Sequence, residues 1–465
     1  MNQFDFDVLV VGSGPGGQSA ALQAASLGKR TGLVERKPNL GGVSLQTGTI
    51  PSKALREAAW LTSRFAARGM RATLQAPVQL HRNFLGEAIA RKQRVIESQE
   101  SLLLKQLMSG GVTLLPGEAS FHDPHTLNIR QADGKQLRQT AAVIILATGS
   151  RPRRPAYVPF DRERVLDSTA ILQLRHLPEQ LLVVGGGVIA CEFATMFAPL
   201  GVQVSLIDSH THLLAYLDAD IQKILEDNLR DMGVQLHMQT RVSAIRRDRD
   251  RITVTTGDGT TLEADTLLYA LGREPNYDTL DLAQAGLVAD DHGWVRVNRH
   301  QQTACEHIYI IGDLAGRPSL AATAMEQGRL AVNHAVDRQH THSSGPLPMA
   351  IYTIPELSCV GETERELQAR GAAYVVGRAH FAETARGQII GEEHGVMKLL
   401  VDPDTHALLG IHIIGESASE LVHVGQMAMT CKAPVEVLAD NVFNYPTLAE
   451  CYKTAALDCL QQLSG

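Results

Sequence analysis

The amino-acid sequence predicts an α/β fold with two doubly wound, Rossmann-like nucleotide-binding domains and a C-terminal α+β domain. The first observation is an apolar run, DVLVV at residues 7–11, that enters a glycine-rich turn and a helix-like stretch. The second is the recurrence of this pattern at residues 180–190, where QLLVV enters GGGVIA. The third is the region from Leu347 onward, where strand-like and helix-like runs alternate. Paired β-loop-α-β units are typical of parallel sheets that bind nucleotides at their carboxyl edges.

Length and composition indicate a globular protein of about three domains, because the chain has 465 residues. Its formal net charge of -7 gives no support for nucleic-acid binding. No run of about 18 apolar residues occurs, so we expect no membrane span. The first residues are acidic and lack a basic n-region, so we expect no secretory signal. The six cysteines form no C-x-x-C or zinc spacing, which favours a reducing cytoplasm and no metal site.

The first glycine-rich turn has the spacing of a dinucleotide-binding fingerprint. Gly12 permits the tight turn, Gly14 lets the backbone approach a pyrophosphate, and Gly17 lets the helix pack closely on the strand. Glu35 ends the next strand, where a carboxylate can accept hydrogen bonds from adenosine ribose hydroxyls. The strand, turn, helix and acid together predict dinucleotide binding more strongly than the glycines alone.

The second turn repeats the fingerprint with a small variation. Gly185 and Gly187 occupy the turn positions, Ala190 takes the packing position, and Asp208 is the equivalent acid. Two dinucleotide sites in one chain are typical of a flavin and a nicotinamide.

A segment between the fingerprints connects this pattern to a known family. Residues 41–53 read GGVSLQTGTIPSK, and three later segments read ATGSRP, ALGREPN and IIGD. With the first fingerprint, these segments resemble the flavoprotein disulfide reductases over nearly the whole chain. Those enzymes carry two redox cysteines where this chain has Ser44 and Thr49. Hydroxyls cannot exchange with disulfides, so the resemblance implies the scaffold without the disulfide chemistry.

The resemblance implies which site holds which cofactor. It assigns FAD to the N-terminal domain and NAD(P)H, as substrate, to the middle domain. Gly149 and Gly272 lie in the matching ATGSRP and ALGREPN segments, and Asp313 corresponds to the aspartate that holds the flavin ribityl chain.

Within this family the chain is most similar to the soluble pyridine nucleotide transhydrogenases, which share GTIPSK and the late segment FNYPT. Tyr445 stands where disulfide reductases have a proton-shuttling histidine, and Glu450 stands where they have its partner. Losing the thiols and the histidine together is chemically coherent, because a thiol-disulfide cycle needs both and a bare flavin needs neither.

The resemblance names five candidate catalytic residues. Lys53 and Glu192 form an ion pair near flavin N5 in the wider family; the alternative is a lysine at a helix start and a glutamate without a specific partner. Ser44 and Thr49 either fill the sulfur volume, or Thr49 hydrogen-bonds near the reactive flavin edge. Tyr445 either narrows the former disulfide cleft or acts as an acid, although a phenol is a poor proton shuttle at neutral pH.

The predicted domains are the first part of an FAD-binding domain at 1–152, an NAD(P)-binding domain at 153–275, a return to the FAD and central domain at 276–346, and a C-terminal dimerisation domain at 347–465. The resemblance implies a homodimer or higher homo-oligomer in which the Tyr445 segment completes the partner's site.

The predicted reaction is hydride transfer from NAD(P)H to FAD and on to another pyridine nucleotide. NADH is favoured, because Asp208 precedes SHTHLL with no arginine to meet a 2′-phosphate. His210 and His212 are interpreted as solvated loop residues or weak phosphate contacts. One alternative is an NADH oxidase or NADH:quinone reductase that uses the bare flavin, and another is a non-catalytic flavoprotein that senses nucleotides.

Overall fold

The architecture was taken from a computed structural model, which describes residues 4–67, 77–290, 293–316, 318–336 and 345–464. The chain divides into two compact units. Unit 1 contains Met1–Ala54, Glu87–Arg153 and Gly272–Ser343, and unit 2 contains Leu55–Gly86, Arg154–Leu271 and Ser344–Gly465. The predicted α/β class, with two doubly wound sheets and a C-terminal α+β region, is confirmed.

The strands are β1 (Phe6–Val11), β2 (Thr31–Glu35), β3 (Thr113–Pro116), β4 (Glu118–Asp123), β5 (Thr126–Arg130), β6 (Gln136–Leu146), β7 (Ser150–Pro152), β8 (Val165–Leu166), β9 (Gln180–Val184), β10 (Gln203–Ile207), β11 (Gln235–His237), β12 (Val242–Arg247), β13 (Ile252–Thr256), β14 (Thr261–Ala264), β15 (Thr266–Tyr269), β16 (Arg273–Pro275), β17 (Ile308–Ile310), β18 (Met349–Ile351), β19 (Leu357–Gly361), β20 (Val375–His380), β21 (Val396–Val401) and β22 (Leu408–Ile414).

The helices are α1 (Pro15–Ser26), α2 (Gly42–Gln46), α3 (Thr49–Ala67), α4 (Pro77–Ser109), α5 (Val188–Phe197), α6 (Ala219–Asp231), α7 (Ala321–Val336), α8 (Glu364–Ala369), α9 (Ala385–Ile390), α10 (Ala418–Thr430), α11 (Glu436–Asp440) and α12 (Glu450–Ser464). None of the helices in the described ranges combines the length and the apolar character that crossing a bilayer requires.

Unit 1 is built on a sheet of order β3-β2-β1-β6-β5-β4, with β17 also paired to β6. Five strand segments are parallel: β1, β2, β3, β17 and the C-terminal half of β6. The N-terminal half of β6 pairs antiparallel with β5, and β5 pairs antiparallel with β4. β1 carries a continuous apolar run from Val8 to Val11, because both faces of a parallel sheet are covered, and Val8, Leu9 and Val10 are fully buried. The carboxyl ends of β1, β2, β6 and β17 therefore meet at one edge.

Unit 2 contains a second parallel sheet of order β11-β10-β9-β15-β8. The antiparallel strands β12, β13 and β14 form a separate three-stranded sheet. The charged stretch at residues 241–251 forms β12 and the turn after it, with most of its arginines exposed. A solvated hairpin, rather than a basic binding patch, accounts for its mixed charges.

The C-terminal part of unit 2 is an antiparallel sheet of order β18-β19-β22-β21-β20. One face packs on α10 and α12, where Leu399, Ile411 and Ile413 join Val422 and Tyr452 in a buried cluster. Alternate residues of the same strands point to the opposite face. That face carries polar side chains such as Lys398 and His412, which an apolar core would leave without hydrogen-bond partners.

Lys398 on β21 is the centre of a buried ion cluster on this opposite face. Its Nζ lies 2.8 Å from Asp218 Oδ1 and 3.0 Å from Asp220 Oδ2, and it also donates to Glu364. The side chains of Lys398 and Asp218 are each 1% exposed. Burial opposes the ammonium charge, but the hydrogen bonds to Asp218 and Glu364 outweigh it and raise the pKa of Lys398. The cluster joins the start of α6 to β21 and α8.

We predict that Lys398→Met lowers the free energy of unfolding by about 3–5 kcal/mol, because Asp218 would remain buried without its cation. Arg378→Met is the matched control. Its pair with Asp220 is 40% and 42% exposed, so we expect a loss within about 1 kcal/mol. Urea unfolding midpoints of both variants measure the difference. Equal midpoints for Lys398→Met and wild type would contradict a structural role for the cluster.

Candidate active site

The first glycine turn has the geometry of an anion-binding helix start. Gly12 has φ +104°, and a Cβ there would lie 2.5 Å from the carbonyl oxygen of Ala147. A Cβ at Gly17 would lie 1.8 Å from the carbonyl oxygen of Gly12, so α1 packs directly on the end of β1. Gly14 is the N-cap of α1 and has no atom within 4 Å of its Cβ position. The start of α1, whose first amides have no partner within the helix, therefore has open space beside Gly14, and a pyrophosphate can enter such a space.

The carboxylate of Glu35 is partly engaged by the same turn. Its Oε2 accepts hydrogen bonds from the backbone N–H of Ser13 at 3.0 Å and the Ser13 hydroxyl at 2.6 Å. Its Oε1 accepts one bond from the backbone N–H of Lys37. A carboxylate has about four acceptor positions, so one position on Oε1 remains for a ribose hydroxyl. The acid holds the turn as well as offering a ligand contact.

The segment that resembles the redox segment lies against this turn. The Ser13 hydroxyl accepts the backbone N–H of Gly41 at 3.0 Å, and a Cβ at Gly42 would lie 2.8 Å from Gly14 Cα. Ser44 is half-buried on α2, and Thr49 is exposed at the start of α3. Lys53 follows one turn later on α3 and is half-buried.

Asp313 sits in a three-residue network at the end of β17. Its Oδ2 accepts a hydrogen bond from the Ser150 hydroxyl at 2.5 Å and lies 3.8 Å from Arg273 Nε. Arg273 also donates to the hydroxyl and the carbonyl oxygen of Ser150, each at 2.8 Å. Gly149, at φ +68°, has no atom within 4 Å of its Cβ position. The carboxylate is thus oriented beside an open stretch of backbone.

The ATGSRP and ALGREPN segments pair with each other. β7 and β16 form a two-stranded antiparallel sheet, and Gly272 directly precedes it. The Thr148 hydroxyl donates to the carbonyl oxygen of Asn276, and the Asn276 amide donates to the carbonyl oxygen of Thr148. This pairing fixes Gly149 and Arg273 at one edge of unit 1.

The second glycine turn, in unit 2, repeats the geometry of the first. Gly185 has φ +122°, and Gly187 is the N-cap of α5 with no atom within 4 Å of its Cβ position. Ala190 is fully buried at the packing position. A methyl group is therefore tolerated where the first turn requires glycine.

Asp208 keeps one carboxylate oxygen available. Its Oδ1 accepts the backbone N–H of His210 at 2.7 Å and lies 2.6 Å from His210 Nδ1. Because a carboxylate only accepts, His210 Nδ1 is the donor in this contact. Asp208 Oδ2 accepts no hydrogen bond from the described residues, so it can accept both ribose hydroxyls. His212 contacts Glu226 instead.

Glu192 is buried on α5, one turn after the second glycine turn. Its Oε1 accepts the backbone N–H of Tyr352 at 2.9 Å. Glu192 therefore has a specific partner in the structure, the backbone of Tyr352. The ion pair of Glu192 with Lys53 stays a prediction.

Tyr445 lies between α11 and α12 and is 76% exposed. Val442, three residues before it, is 94% exposed, and further exposed apolar residues of the C-terminal helices are Val424, Met427, Val437 and Leu457. Exposed apolar side chains that lie together are typical of a protein interface. Cys451, one residue into α12, is buried, and burial raises the pKa of its thiol to about 12. It is protonated at neutral pH, which fits a structural role.

Sequence reasoning missed four residues that hold these sites together: Ser13, Ser150, Arg273 and His210. Ser13, Ser150 and Arg273 lie inside the sequence motifs. The motifs therefore predict where these residues lie, but they do not predict which residues they hydrogen-bond. The sequence indicates His210 only as a solvated or phosphate-contacting residue, and it does not predict the bond to Asp208.

Comparisons with known proteins agree on one family. The family model for pyridine nucleotide-disulphide oxidoreductase matches residues 6–328, and the model for the dimerisation domain of that family matches residues 347–456. The chain is 43% identical over 461 residues to the soluble pyridine nucleotide transhydrogenase of Mycobacterium tuberculosis, covering 99% of this chain and 98% of that protein. It is 41% identical to the protein of that name from Pectobacterium atrosepticum, covering 99% of both.

Solved structures agree with this result. The HOCl-induced flavoprotein disulfide reductase RclA from Escherichia coli aligns with a TM-score of 0.87 at 26% identity, covering 97% of this chain and 99% of that one. LpdA from Mycobacterium tuberculosis aligns with a TM-score of 0.89 at 28% identity, with the same coverage.

Gly14 and Gly17 provide a matched pair of substitutions. Gly14 has φ -64° and ψ 177°, which any residue adopts, so we expect Gly14→Ala to fold but to lose bound dinucleotide because the methyl group blocks phosphate approach. Gly17→Ala should instead lower Tm strongly, because its methyl group meets the Gly12 carbonyl. The ratio of flavin to protein absorbance and Tm measure both. Full flavin retention by Gly14→Ala would contradict the assigned phosphate position.

Proposed function

The chain belongs to the pyridine nucleotide-disulphide oxidoreductase family, and from this membership we propose that it transfers hydride between pyridine nucleotides through FAD. The family binds FAD and uses NAD(P)H. The observation that carries the proposal is the pair Ser44 and Thr49 on α2 and α3, beside the first glycine turn. Without thiols there, electrons have no disulfide route out of the site.

The residues of unit 1 fit an FAD. The open N-terminus of α1 suits its pyrophosphate, the remaining acceptor position of Glu35 suits a ribose hydroxyl, and Asp313 suits the ribityl hydroxyls. Bound FAD would supply the hydride chemistry. The chain supplies orientation and the exclusion of water.

The proposed roles of the other site residues follow from their chemistry. Lys53 would place a cation near the flavin ring and stabilise negative charge there, and Glu192 would orient Lys53. Ser44 and Thr49 would line the ring face. Tyr445 would narrow the cleft from which a disulfide substrate is now excluded.

The second turn would hold the nicotinamide dinucleotide. Gly185 and Gly187 shape the turn, Ala190 lies at the packing position, and α5 would present its N-terminus to the pyrophosphate. Gly149 and Gly272 would let ligands approach the backbone at the paired ATGSRP and ALGREPN segments. Asp208 Oδ2 would accept the adenosine 2′- and 3′-hydroxyls.

We further propose a homodimer, with an FAD domain at 1–152 and 276–346, an NAD(P) domain at 153–275 and a dimerisation domain at 347–465. The match of the dimerisation-domain model and the exposed apolar side chains in this domain, such as Val442 and Met427, support this arrangement. We also propose a cytoplasmic location and no nucleic-acid partner, supported by six free cysteines and the net charge of -7.

Anaerobic stopped-flow measurements test the reaction. NADH should bleach the flavin absorbance, and NADP+ or thio-NAD+ should restore it faster than oxygen or a quinone. Lipoamide and glutathione disulfide are the control acceptors and should restore none, because Ser44 and Thr49 cannot form a mixed disulfide. Faster recovery with oxygen or a quinone would instead establish an oxidase or quinone reductase. Failure of NADH to bleach the flavin would favour a nucleotide sensor.

Nicotinamide preference is the second test. We expect a higher kcat/KM with NADH than with NADPH, because Asp208 repels a 2′-phosphate by up to roughly 4 kcal/mol at 4 Å and an effective dielectric of 20. Asp208→Arg should reduce the difference in kcat/KM between NADH and NADPH, because an arginine would attract the 2′-phosphate that Asp208 repels.

Exchange of each histidine tests what orients Asp208. His210→Ala should change the ratio of kcat/KM with NADH to kcat/KM with NADPH, because it removes the side chain whose Nδ1 lies 2.6 Å from Asp208 Oδ1. The matched control, His212→Ala, should leave that ratio unchanged, because His212 contacts Glu226. A wild-type preference for NADPH at neutral pH would remove Asp208 as the discriminating residue.

A further inference from the structure

One row of side chains across the C-terminal sheet combines three soft metal ligands. Met349 on β18 is directly opposite Cys359 on β19, and Cys359 is directly opposite His412 on β22. Directly opposed residues of antiparallel strands project from the same face, with Cβ atoms about 4.5–5.5 Å apart. A thioether, a thiol and an imidazole are therefore neighbours. The next residue in the row is Lys398, opposite His412.

The same three side chains line one small apolar cavity. Its walls also include Leu217 before α6 and Ile221 on α6, and it has no room for a water molecule. A dry apolar cavity cannot satisfy a polar group by hydration. Any polar atom that faces this region must find its partner elsewhere.

His412, one of the residues that line this cavity, carries a polar atom without a partner. The side chain is 1% exposed, and Nε2 lies 2.9 Å from the carbonyl oxygen of Glu362. A carbonyl accepts, so Nε2 carries the proton and Nδ1 presents a bare lone pair. Nδ1 has no hydrogen-bond partner among the described residues. A buried acceptor without a donor is destabilising, and a bound metal ion would remove that cost by accepting the lone pair.

We propose that Met349, Cys359 and His412 form a binding site for Cu(I). Thioether and thiolate sulfur select Cu(I) over harder ions, and a neutral imidazole is a compatible third ligand. Charge favours the same ion, because Cu(I) and one thiolate are neutral together, whereas Zn²⁺ and one thiolate would leave a net positive charge in a dry cavity.

The neighbouring oxygen ligands do not compete for this role. Asp218, Asp220 and Glu364 have carboxylate oxygens close enough to hold a hard cation, but Lys398 Nζ already contacts all three. The protein therefore satisfies its oxygen cluster with its own ammonium. Among the described residues, no lysine or arginine donates a hydrogen bond to the neighbouring soft ligands Met349, Cys359 and His412.

Binding requires a proton to leave. Burial, assisted by the charges of Glu366 and Asp218, raises the pKa of the Cys359 thiol to about 12. The thiol is thus protonated in the metal-free protein. When Cu(I) arrives, the S–H bond breaks, a sulfur–copper bond forms, and the proton passes to the solvent. The copper enters and remains as Cu(I), so no electron is transferred.

Competition with a chromophoric Cu(I) chelator tests the site in the full-length flavoprotein under anaerobic, reducing conditions. Wild type should remove one equivalent of Cu(I) from the bathocuproine disulfonate complex. Cys359→Ser should weaken that equivalent by more than about 100-fold, because it removes a ligand rather than an outer contact. The matched control is Cys431→Ser, which removes an exposed thiol and should bind like wild type.

Met349→Leu guards against misfolding, because leucine nearly conserves the volume and keeps the cavity apolar. We expect it to fold like wild type and to weaken binding by about 10-fold, less than Cys359→Ser, because a thioether is a weaker ligand than a thiolate. X-ray absorption of the copper-loaded wild type should report two sulfur ligands and one nitrogen. Retention of the tight equivalent by Cys359→Ser, its loss in Cys431→Ser, or a copper shell without sulfur would overturn the proposal.

Discussion

The close packing of α1 on the end of β1 is the constraint on which the first ligand site depends. A Cβ at Gly17 would lie 1.8 Å from the Gly12 carbonyl oxygen, so the helix can approach the strand only because residue 17 has no side chain. The space around the Cβ position of Gly14, the N-cap of α1, stays open. The same turn then positions Glu35 through Ser13 and residues 41–53 through Gly41. One close backbone contact therefore organises the edge at which we propose that a pyrophosphate binds.

The two acids that follow the glycine turns have different tasks, although their sequence positions are equivalent. Glu35 uses three acceptor positions on the chain itself, to Ser13 and Lys37, and so stabilises its own turn. Asp208 gives Oδ1 to His210, and its Oδ2 accepts no hydrogen bond from the described residues. The first site is therefore more rigid around its acid, which suits a resident cofactor. The second leaves its acid available, which suits a dinucleotide that must bind and leave.

Much of this arrangement could be predicted from the sequence, because glycine spacing, apolar strands and terminal acids are local signals with steric causes. Gly12, Gly14, Gly185 and Gly187 lie at the two turns, and Gly17 lies at the contact between α1 and β1. The network of Ser150, Arg273 and Asp313 could not be predicted, because its members are far apart in the chain and hydrogen-bond partners follow from the tertiary fold. Lys398 reads as one polar residue within the apolar strand VMKLLV, and nothing local indicates that three carboxylates surround it.

Strand register is the other quantity that the sequence does not contain. A shift of one residue between β19 and β22 would move Cys359 and His412 to opposite faces of the sheet. The observed register instead places Met349, Cys359, His412 and Lys398 in one row. The two ends of the row have different surroundings. Lys398 contacts three carboxylates at one end, whereas the side chains of Met349 and Cys359 line an apolar cavity at the other. Hard and soft ligands are thereby separated on a single face, and His412 lies at the boundary with one nitrogen committed to the Glu362 carbonyl and the other still without a partner among the described residues.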